Sequence, residues 1–166
     1  MTELDTVSSG KVKFKGIFDF KELYRFLYTY LVDNGYFVVE KEYTEKNNQN
    51  GKEVVVKWDA RRKISDYFRF YIKVNWRIIG MKDADVEKNG EKLTLNKGDN
   101  EVEIVSIIEK DYENKWDKNE FAKFLRGVYD RYIIRGRIDD YEGKIFTEAN
   151  EFAAQVKAFV ALEGRR

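Results

Sequence analysis

Residues 68–78 read Phe-Arg-Phe-Tyr-Ile-Lys-Val-Asn-Trp-Arg-Ile and decide the fold class of this chain. Large apolar side chains occupy every even position, while tyrosine, asparagine and cations occupy the odd positions. Because successive side chains of a strand point to opposite faces, this pattern predicts a β-strand with one buried face and one wet face. A sheet must therefore form the centre of the domain, and other segments must cover its apolar face.

Further strands are predicted on both sides of this segment. Val12 and Phe14 alternate with lysines, and Asn89-Gly90 is the signal of a type I′ turn between two short strands. We expect a second turn at residues 97–99 and a hairpin around the loop 47–51. Together these signals predict an antiparallel meander of six to seven strands.

The first helix is predicted directly after the first strand. Asp19 and Glu22 have the spacing of a capping box, and Phe18 with Leu23 has that of a hydrophobic staple. We therefore expect a helix that begins at Phe20 and ends before the next Asn-Gly pair.

Two more helices are predicted near the C-terminus. Asp117 with Glu120 repeats the capping box, and Trp116 with Phe121 repeats the staple, so a second helix should begin here and end near Gly136. Its apolar stripe consists of Phe121, Phe124, Leu125, Val128 and Tyr132. The third helix carries apolar residues at three- and four-residue steps, namely Ile138, Tyr141, Ile145, Ala149, Phe152, Val156 and Phe159.

The order of predicted elements is one strand, one helix, a run of strands and two helices, which is typical of an α+β fold. We predict that residues 1–10 form a flexible N-terminus and that residues 11–164 form a single domain. In this domain both C-terminal helices pack on one face of the sheet. A chain of 166 residues divided into two domains would leave each with a thin core.

The composition excludes several classes of function. The chain contains neither Cys nor His, which rules out thiolate nucleophiles, Cys/His zinc sites and imidazole bases. It has no P-loop, nucleophile elbow or metal motif, and we predict no metal and no cofactor. With 31 basic and 30 acidic residues, the net charge of +1 gives no reason to expect a DNA partner. Since no apolar run could span a bilayer and no signal peptide is recognisable, we expect a cytoplasmic location.

The predicted order of elements resembles that of helix-grip domains of the START-like superfamily. In those domains a curved sheet wraps around a long C-terminal helix, and the resemblance implies an apolar cavity between them. Separately, residues 124–132, Phe-Leu-Arg-Gly-Val-Tyr-Asp-Arg-Tyr, together with residues 133–139, resemble a family of uncharacterised archaeal proteins. That family has no assigned activity, so the second resemblance implies an origin and no function.

The leading functional hypothesis is a non-catalytic binding domain for an apolar or amphipathic small molecule, held between the sheet and the C-terminal helices. Large rings packed against a helix leave irregular space, and we expect a cavity on the order of a few hundred Å³. The alternative is that the same rings form an ordinary core. The candidate ligand-binding residues are Trp58, Phe68, Phe70, Trp76, Phe124 and Phe152.

The odd-numbered face of the predicted strand 64–79 supports a second hypothesis, an interaction module for a protein or an RNA partner. Cations and rings are combined there as in single-strand nucleic-acid platforms, where bases stack and phosphates pair. The alternative is a solvated sheet face whose rings shelter the arginine side chains. The candidate partner-binding residues are Tyr67, Arg69, Tyr71 and Arg77.

A carboxylate-based hydrolase is the third hypothesis, because only carboxylates are available as catalytic groups. Asp83 and Asp85 share a strand face, whereas Asp139 and Asp140 are adjacent on a helix and point about 100° apart. Charges on an edge strand also prevent aggregation between sheets, which is a sufficient reason for the first pair. We therefore assign no catalytic residue.

Overall fold

The computed structural model describes residues 2–113, 119–133 and 135–164 and confirms the α+β class. These residues contain three helices, α1 (Phe20–Asp33), α2 (Glu120–Val128) and α3 (Arg135–Gly164). They also contain five strands, β1 (Glu3–Phe18), β2 (Phe37–Asn48), β3 (Gly51–Lys63), β4 (Phe68–Lys88) and β5 (Glu91–Lys110). The strands form one antiparallel sheet in the order β1-β5-β4-β3-β2, so β1 and β2 are its two edges.

Strand β1 begins at Glu3 rather than at Lys11, which corrects the prediction for the N-terminal segment. Residues 3–10, predicted as a flexible N-terminus, pair with β5, and Glu3 lies opposite Lys110. These residues lack alternating large apolar side chains, so their sequence pattern does not predict a strand. Backbone pairing with a long neighbouring strand extends β1 instead.

The described sheet has five strands instead of the predicted six to seven, because β4 and β5 continue where the sequence predicts breaks. Strand β4 bends at a bulge between Ile79 and Lys82, where Gly80 has a φ of 68°. Strand β5 passes through Gly98 without a turn, and a Cβ at this position would lie 3.3 Å from the backbone of Met81. The glycines therefore permit a bend and a close approach of paired strands.

Helix α1 begins and ends where the sequence predicts. Asp19 is its N-cap and accepts a hydrogen bond from the backbone N of Glu22 at 3.2 Å. At the other end Gly35 has a φ of 87°, and Tyr36 N donates to Leu31 O at 3.0 Å. These bonds pair backbone groups that a helix end leaves without intrahelical partners.

Helices α1 and α3 lie over the same face of the sheet, and the hydrophobic core lies between these helices and that face. The even-numbered side chains of β4 from Phe68 to Ile78 are all buried there, which confirms the alternation of the central strand. Full burial of one large apolar side chain contributes roughly 1.5–3 kcal/mol. The buried helix residues are Leu23, Leu27 and Leu31 from α1 and Ile145, Ala149, Phe152 and Val156 from α3.

A cluster of polar side chains fixes α3 against the sheet. Tyr36 donates its hydroxyl proton to Glu148 Oε2 at 2.6 Å, and Arg62 donates from Nη2 to Glu148 Oε1 at 2.6 Å. The guanidinium of Arg62 also donates to Asn34 O at 2.8 Å. Burial, and then the bond to Glu148, raise the pKa of Tyr36 well above its ordinary value, so its hydroxyl remains a donor.

Helix α2 does not bury a face against the sheet, in contrast to the prediction for both C-terminal helices. None of its residues is buried. Its N-cap is Asn119, whose side chain accepts a hydrogen bond from Ala122 N at 2.7 Å. The predicted capping residue Asp117 and the predicted staple residue Trp116 lie outside the described residues.

A π-helical turn at Tyr129–Ile133 follows α2, and α3 then begins at Arg135. Gly136 lies inside α3 and does not end a helix, which corrects the predicted boundary. A π-helical turn changes the direction in which the side chains after it point, relative to an unbroken α-helix.

Candidate binding surfaces

Five of the six predicted ligand-binding residues lie in the core, where other rings surround them. Trp58 packs edge-on against Tyr24 at a centroid distance of 5.0 Å, and Trp76 lies 5.2 Å from the ring of Phe20. The indole N–H of Trp76 donates to Asn100 Oδ1 at 2.9 Å. Trp58, Phe68, Phe70, Trp76 and Phe152 are each 3% exposed or less.

Rings of the helix pack against these residues, and one small pocket lies beside Phe152. Phe68 and Phe70 meet Tyr141 of α3 at centroid distances of 5.1 and 6.1 Å. A pocket beside Phe152 has a volume of about 10 Å³, close to the least that one water molecule needs. This pocket is much smaller than the space expected for a bound molecule, and the ligand-binding role of these residues stays a prediction.

The predicted Tyr/Arg face carries a compact charge cluster on the side of the sheet opposite the helices. Glu109 is 3% exposed and accepts hydrogen bonds from Arg61 Nε at 3.3 Å and from Arg69 Nε. The guanidinium of Arg61 also lies 4.0 Å from the ring centre of Tyr71, which is buried. Burial, and then a hydrogen bond to Asp59, raise the pKa of Tyr71. Arg69 and Tyr71 are therefore matched by partners within the sheet.

The other two predicted partner-binding residues lie apart from this cluster. Arg77 is bound to Glu53 at 2.9 Å near the middle of the sheet. Tyr67 is 8% exposed and packs edge-on against Tyr129, while its hydroxyl accepts from Arg126 Nε at 3.3 Å. The structure does not bring the four residues together as one platform of free cations and rings.

An open groove runs along β1 on the side where this strand has no neighbour. Residues 11–17 form one wall and residues 157–161 of α3 form the other, and the groove has a volume of about 850 Å³. Seven strand residues span roughly 24 Å. Its apolar floor comes from Val12, Phe14, Gly16, Ile17, Val160 and Ala161, and its cationic rim comes from Lys11, Lys13, Lys15, Lys97 and Lys157.

The rim lysines of β1 form a ladder with carboxylates of the neighbouring strand. Lys11 and Lys13 lie 3.1 and 3.7 Å from Glu101, and Lys15 lies 3.5 Å from Asp99. The hydrogen bond and the charge of Glu101 raise the pKa of Lys11, and the same hydrogen bond lowers the pKa of Glu101. All these carboxylates belong to β5, and among the described residues no carboxylate lines the groove on the other side of the lysine row.

The remaining two rim lysines carry free charge. Neither Lys97 nor Lys157 forms an ion pair with another described residue, and both line the groove. No acidic side chain lines it among the described residues. The groove thus combines apolar contact area with uncompensated positive charge and an unpaired strand edge.

The sequence pattern alone does not reveal this site. The alternation of Lys11, Lys13 and Lys15 with apolar residues predicts a half-buried strand in any position of a sheet. Only the strand order shows that β1 is an edge, and only the position of α3 shows that a groove lies beside it. The row of equal charges is the one signal in the sequence that points to this edge.

A second exposed surface is the apolar stripe of α2, which we call the α2 face: Phe121, Phe124, Leu125, Val128 and Tyr132. The rings are 68%, 66% and 74% exposed at Phe121, Phe124 and Tyr132. Phe124, the sixth predicted ligand-binding residue, therefore lies on the outside of the molecule. Exposed rings at this density are uncommon on a monomer and indicate an interaction surface.

A polar anchor explains why the α2 face points outward. Arg126 lies on the other side of α2, and its side chain is only 12% exposed. It pairs with Glu3 at 2.8 Å and with Asp111 at 3.8 Å, and it donates to Tyr67. A guanidinium held by two carboxylates and a hydroxyl sets the rotation of the helix about its axis.

The candidate catalytic carboxylates do not form a common site. Asp83 and Asp85 are exposed on β4, and Asp85 accepts a hydrogen bond from Thr94 at 3.1 Å. Asp139 and Asp140 are exposed on α3. In the described part of the chain, no group of three or more acidic side chains is arranged to hold a metal ion.

None of the described helices is both long enough and apolar enough to cross a membrane. The cytoplasmic location stays a prediction.

Comparison of the chain with models of known protein families, with curated proteins and with solved structures finds no match. The resemblances to helix-grip domains and to an archaeal family stay predictions.

Proposed function

We propose that the protein is a non-catalytic binding module that captures an extended acidic segment of a partner protein in the groove between β1 and α3. The segment adds to the sheet as a further strand beside β1. The observation that carries this proposal is the combination, in one groove of about 850 Å³, of an unpaired strand edge, an apolar floor and a rim of lysines.

The unpaired edge favours a peptide over an acyl chain or another small amphipathic molecule. Every second residue of β1 turns its backbone N–H and C=O away from β5, toward the groove. A hydrocarbon chain that covered these groups would leave them without water, at a cost of about 1–3 kcal/mol for each group. An extended peptide pairs them instead.

The charges favour an acidic segment and disfavour a second copy of this strand. A carboxylate-bearing strand beside β1 would place each lysine between two acidic strands, since β5 supplies carboxylates on the inner side. Pairing of β1 with β1 of another copy around Lys13 would set lysines opposite lysines, which is destabilising. The groove therefore distinguishes partners by charge.

The two faces of β1 define the sequence that fits. Lys11, Lys13 and Lys15 lie on one face, and Val12 and Phe14 lie on the other, next to Val160. A bound strand should therefore alternate acidic residues with medium-sized apolar residues. An RNA fits less well, because Phe14 is the one ring that lines the groove among the described residues and it already packs against Phe18 at 6.1 Å.

The experiment is a fluorescence-anisotropy titration with a labelled peptide of seven residues that alternates glutamate and valine. We expect saturable binding with a dissociation constant on the order of 10–100 μM, typical of a short, transient contact. Two control peptides test the mode of binding. Lysine in place of glutamate should abolish binding, and N-methylation of alternate backbone nitrogens should weaken it about tenfold, because methylated nitrogens cannot donate to β1.

Two further ligands make the outcome decisive. Sodium dodecanoate and a single-stranded oligouridylate are titrated under the same conditions. Binding of the acidic peptide that depends on its backbone N–H groups supports the proposal. Equal binding of the N-methylated peptide would show that only charge attracts the peptide. Tighter binding of dodecanoate or RNA would assign the groove to that ligand. Each of these results contradicts the proposal.

A further inference from the structure

The α2 face is a second interaction surface, separate from the β1 groove and independent of the function proposed for it. Three rings that are 66–74% exposed lie on three turns of helix and the adjoining π-helical turn. Such a stripe, with steps of three and four residues, is the pattern by which one helix packs along another.

The cations of α2 argue against a lipid surface as the occupant. An interfacial helix keeps its Lys and Arg side chains beside the apolar stripe, where they reach the headgroups. On the helical wheel Lys123 and Arg126 point away from the stripe instead. Arg126 is also committed to Glu3 and Asp111. Within residues 120–132 only Arg131 is left beside the stripe to meet anionic lipids, and it lies at one end, next to the ring of Tyr132.

The area of the α2 face matches what a weak dimer needs. An aromatic side chain offers about 150–250 Å², so the three rings supply roughly 300–500 Å² from one copy and twice that from two. Leu125, which is 39% exposed, adds to this area. The total approaches about 1,000 Å², the lower limit for a specific interface.

The charges at the ends of the stripe fit an antiparallel pair. Glu120 lies in the first turn of α2 and Arg131 lies in the π-helical turn at the other end, and both are exposed. On the wheel they lie on the same side of the stripe, the side that meets itself across the two-fold axis of an antiparallel pair. Glu120 of one copy then approaches Arg131 of the other, and the helix dipoles oppose each other.

We infer that the α2 face joins two copies of this chain through antiparallel packing of α2 against α2. The geometry places Phe121 of one copy near Tyr132 of the other, with Leu125 and Val128 at the centre. None of the groove residues belongs to the α2 face.

Sedimentation equilibrium over 5–500 μM protein tests this inference. From the small area we expect a reversible dimer with a dissociation constant on the order of 10–100 μM. The variant Phe124→Glu places a charge within the apolar seam and should raise that constant at least about tenfold. The matched control is Phe37→Glu, because Phe37 is 75% exposed on β2, away from α2, and its replacement should leave the dimer unchanged.

A charge exchange tests the antiparallel arrangement itself. Glu120→Arg and Arg131→Glu alone should each raise the dissociation constant about two- to fivefold, and the double variant should restore it, since the pair is exposed. Circular dichroism checks that each variant keeps its helix content. Restoration supports the arrangement, and a double variant weaker than both single variants contradicts it.

The remaining outcomes overturn the inference. Wild-type protein that stays monomeric at 500 μM has no such dimer, and a dimer that Phe124→Glu leaves intact uses another surface. Monomeric protein that sediments with phosphatidylserine vesicles, and loses this property in Phe124→Glu, would assign the α2 face to a lipid surface.

Discussion

The two edge strands of the sheet, β1 and β2, each have one side without a neighbouring strand, but their surroundings differ. Both expose unpaired N–H and C=O groups. On β2 acidic and basic residues are mixed, as at Glu40, Lys41 and Glu42, and a bulge between Glu40 and Glu42 interrupts the pairing with β3. On β1 the segment 11–17 pairs with β5 without a register shift, although Gly16 has a φ of 121°; its charges are all positive, and α3 supplies an apolar wall.

Charge pattern and regularity separate an edge that is protected from pairing from an edge that can bind a partner strand. Mixed charges and a bulge make β2 a poor template for any one partner strand. A uniform row of charges repels other copies of the same strand and at the same time selects a partner of opposite charge. The bulge of β1, between Thr6 and Ser8, lies outside the groove.

The largest effect is expected from reversing two charges of the groove. Lys13→Glu combined with Lys15→Glu replaces attraction by repulsion at two exposed positions and should weaken binding of the acidic peptide about tenfold or more. Fluorescence anisotropy measures the change. The matched control is Lys41→Glu combined with Lys46→Glu on β2, the other edge, which makes the same change in net charge and should leave the affinity unchanged. Equal losses in both variants would mean that net charge decides binding.

A smaller effect is expected from salt. Raising the ionic strength from 50 to 500 mM should weaken binding of the acidic peptide several-fold, since the Debye length falls below the spacing of the exposed charges. The Lys13→Glu/Lys15→Glu variant should show a smaller salt dependence than the wild type in the same titration. Salt dependence that is equal in both would contradict the role of the lysine rim.

The floor of the groove should contribute less than its charges. Ala161→Asp places a carboxylate on the apolar wall and should weaken binding of the acidic peptide about three- to fivefold. The adjacent residue provides the control, because Leu162 is 60% exposed and does not line the groove. Leu162→Asp should bind like the wild type. If it weakens binding as much as Ala161→Asp does, α3 does not line the site.

The smallest effect concerns the ladder between β1 and β5. The hydrogen bond from Lys11 lowers the pKa of Glu101, so Lys11→Met should raise that pKa toward its ordinary value. The carboxyl carbon of Glu101, followed by NMR from pH 2 to pH 7, reports the midpoint. A midpoint that does not move in Lys11→Met would show that the pair does not form in solution.

The parts of the fold that the sequence predicts are those in which local signals and packing agree. The alternation at 68–78 predicts the buried face of β4, and the capping signal at Asp19 predicts the start of α1. In both cases the apolar pattern faces the core. Local pattern and tertiary burial then lead to the same structure.

Helix α2 shows where this reasoning fails. Its apolar stripe is as regular as that of α1. An amphipathic pattern indicates that one face of a helix is apolar, but it does not indicate which part of the protein or which partner covers that face. The contacts of Arg126 with Glu3 and Asp111 set its rotation, and these partners lie far away in the sequence. The groove beside β1 escapes prediction for the same reason, since it depends on strand order and on the position of α3.

Amide hydrogen exchange of the wild-type protein, with and without saturating acidic peptide, tests whether the peptide adds to the sheet beside β1. We expect the alternate amides of residues 11–17 that do not pair with β5 to become protected when the peptide binds, while exchange of the β2 amides stays unchanged. Unchanged exchange along β1, or protection that appears along Phe37–Asn48 instead, would contradict this expectation.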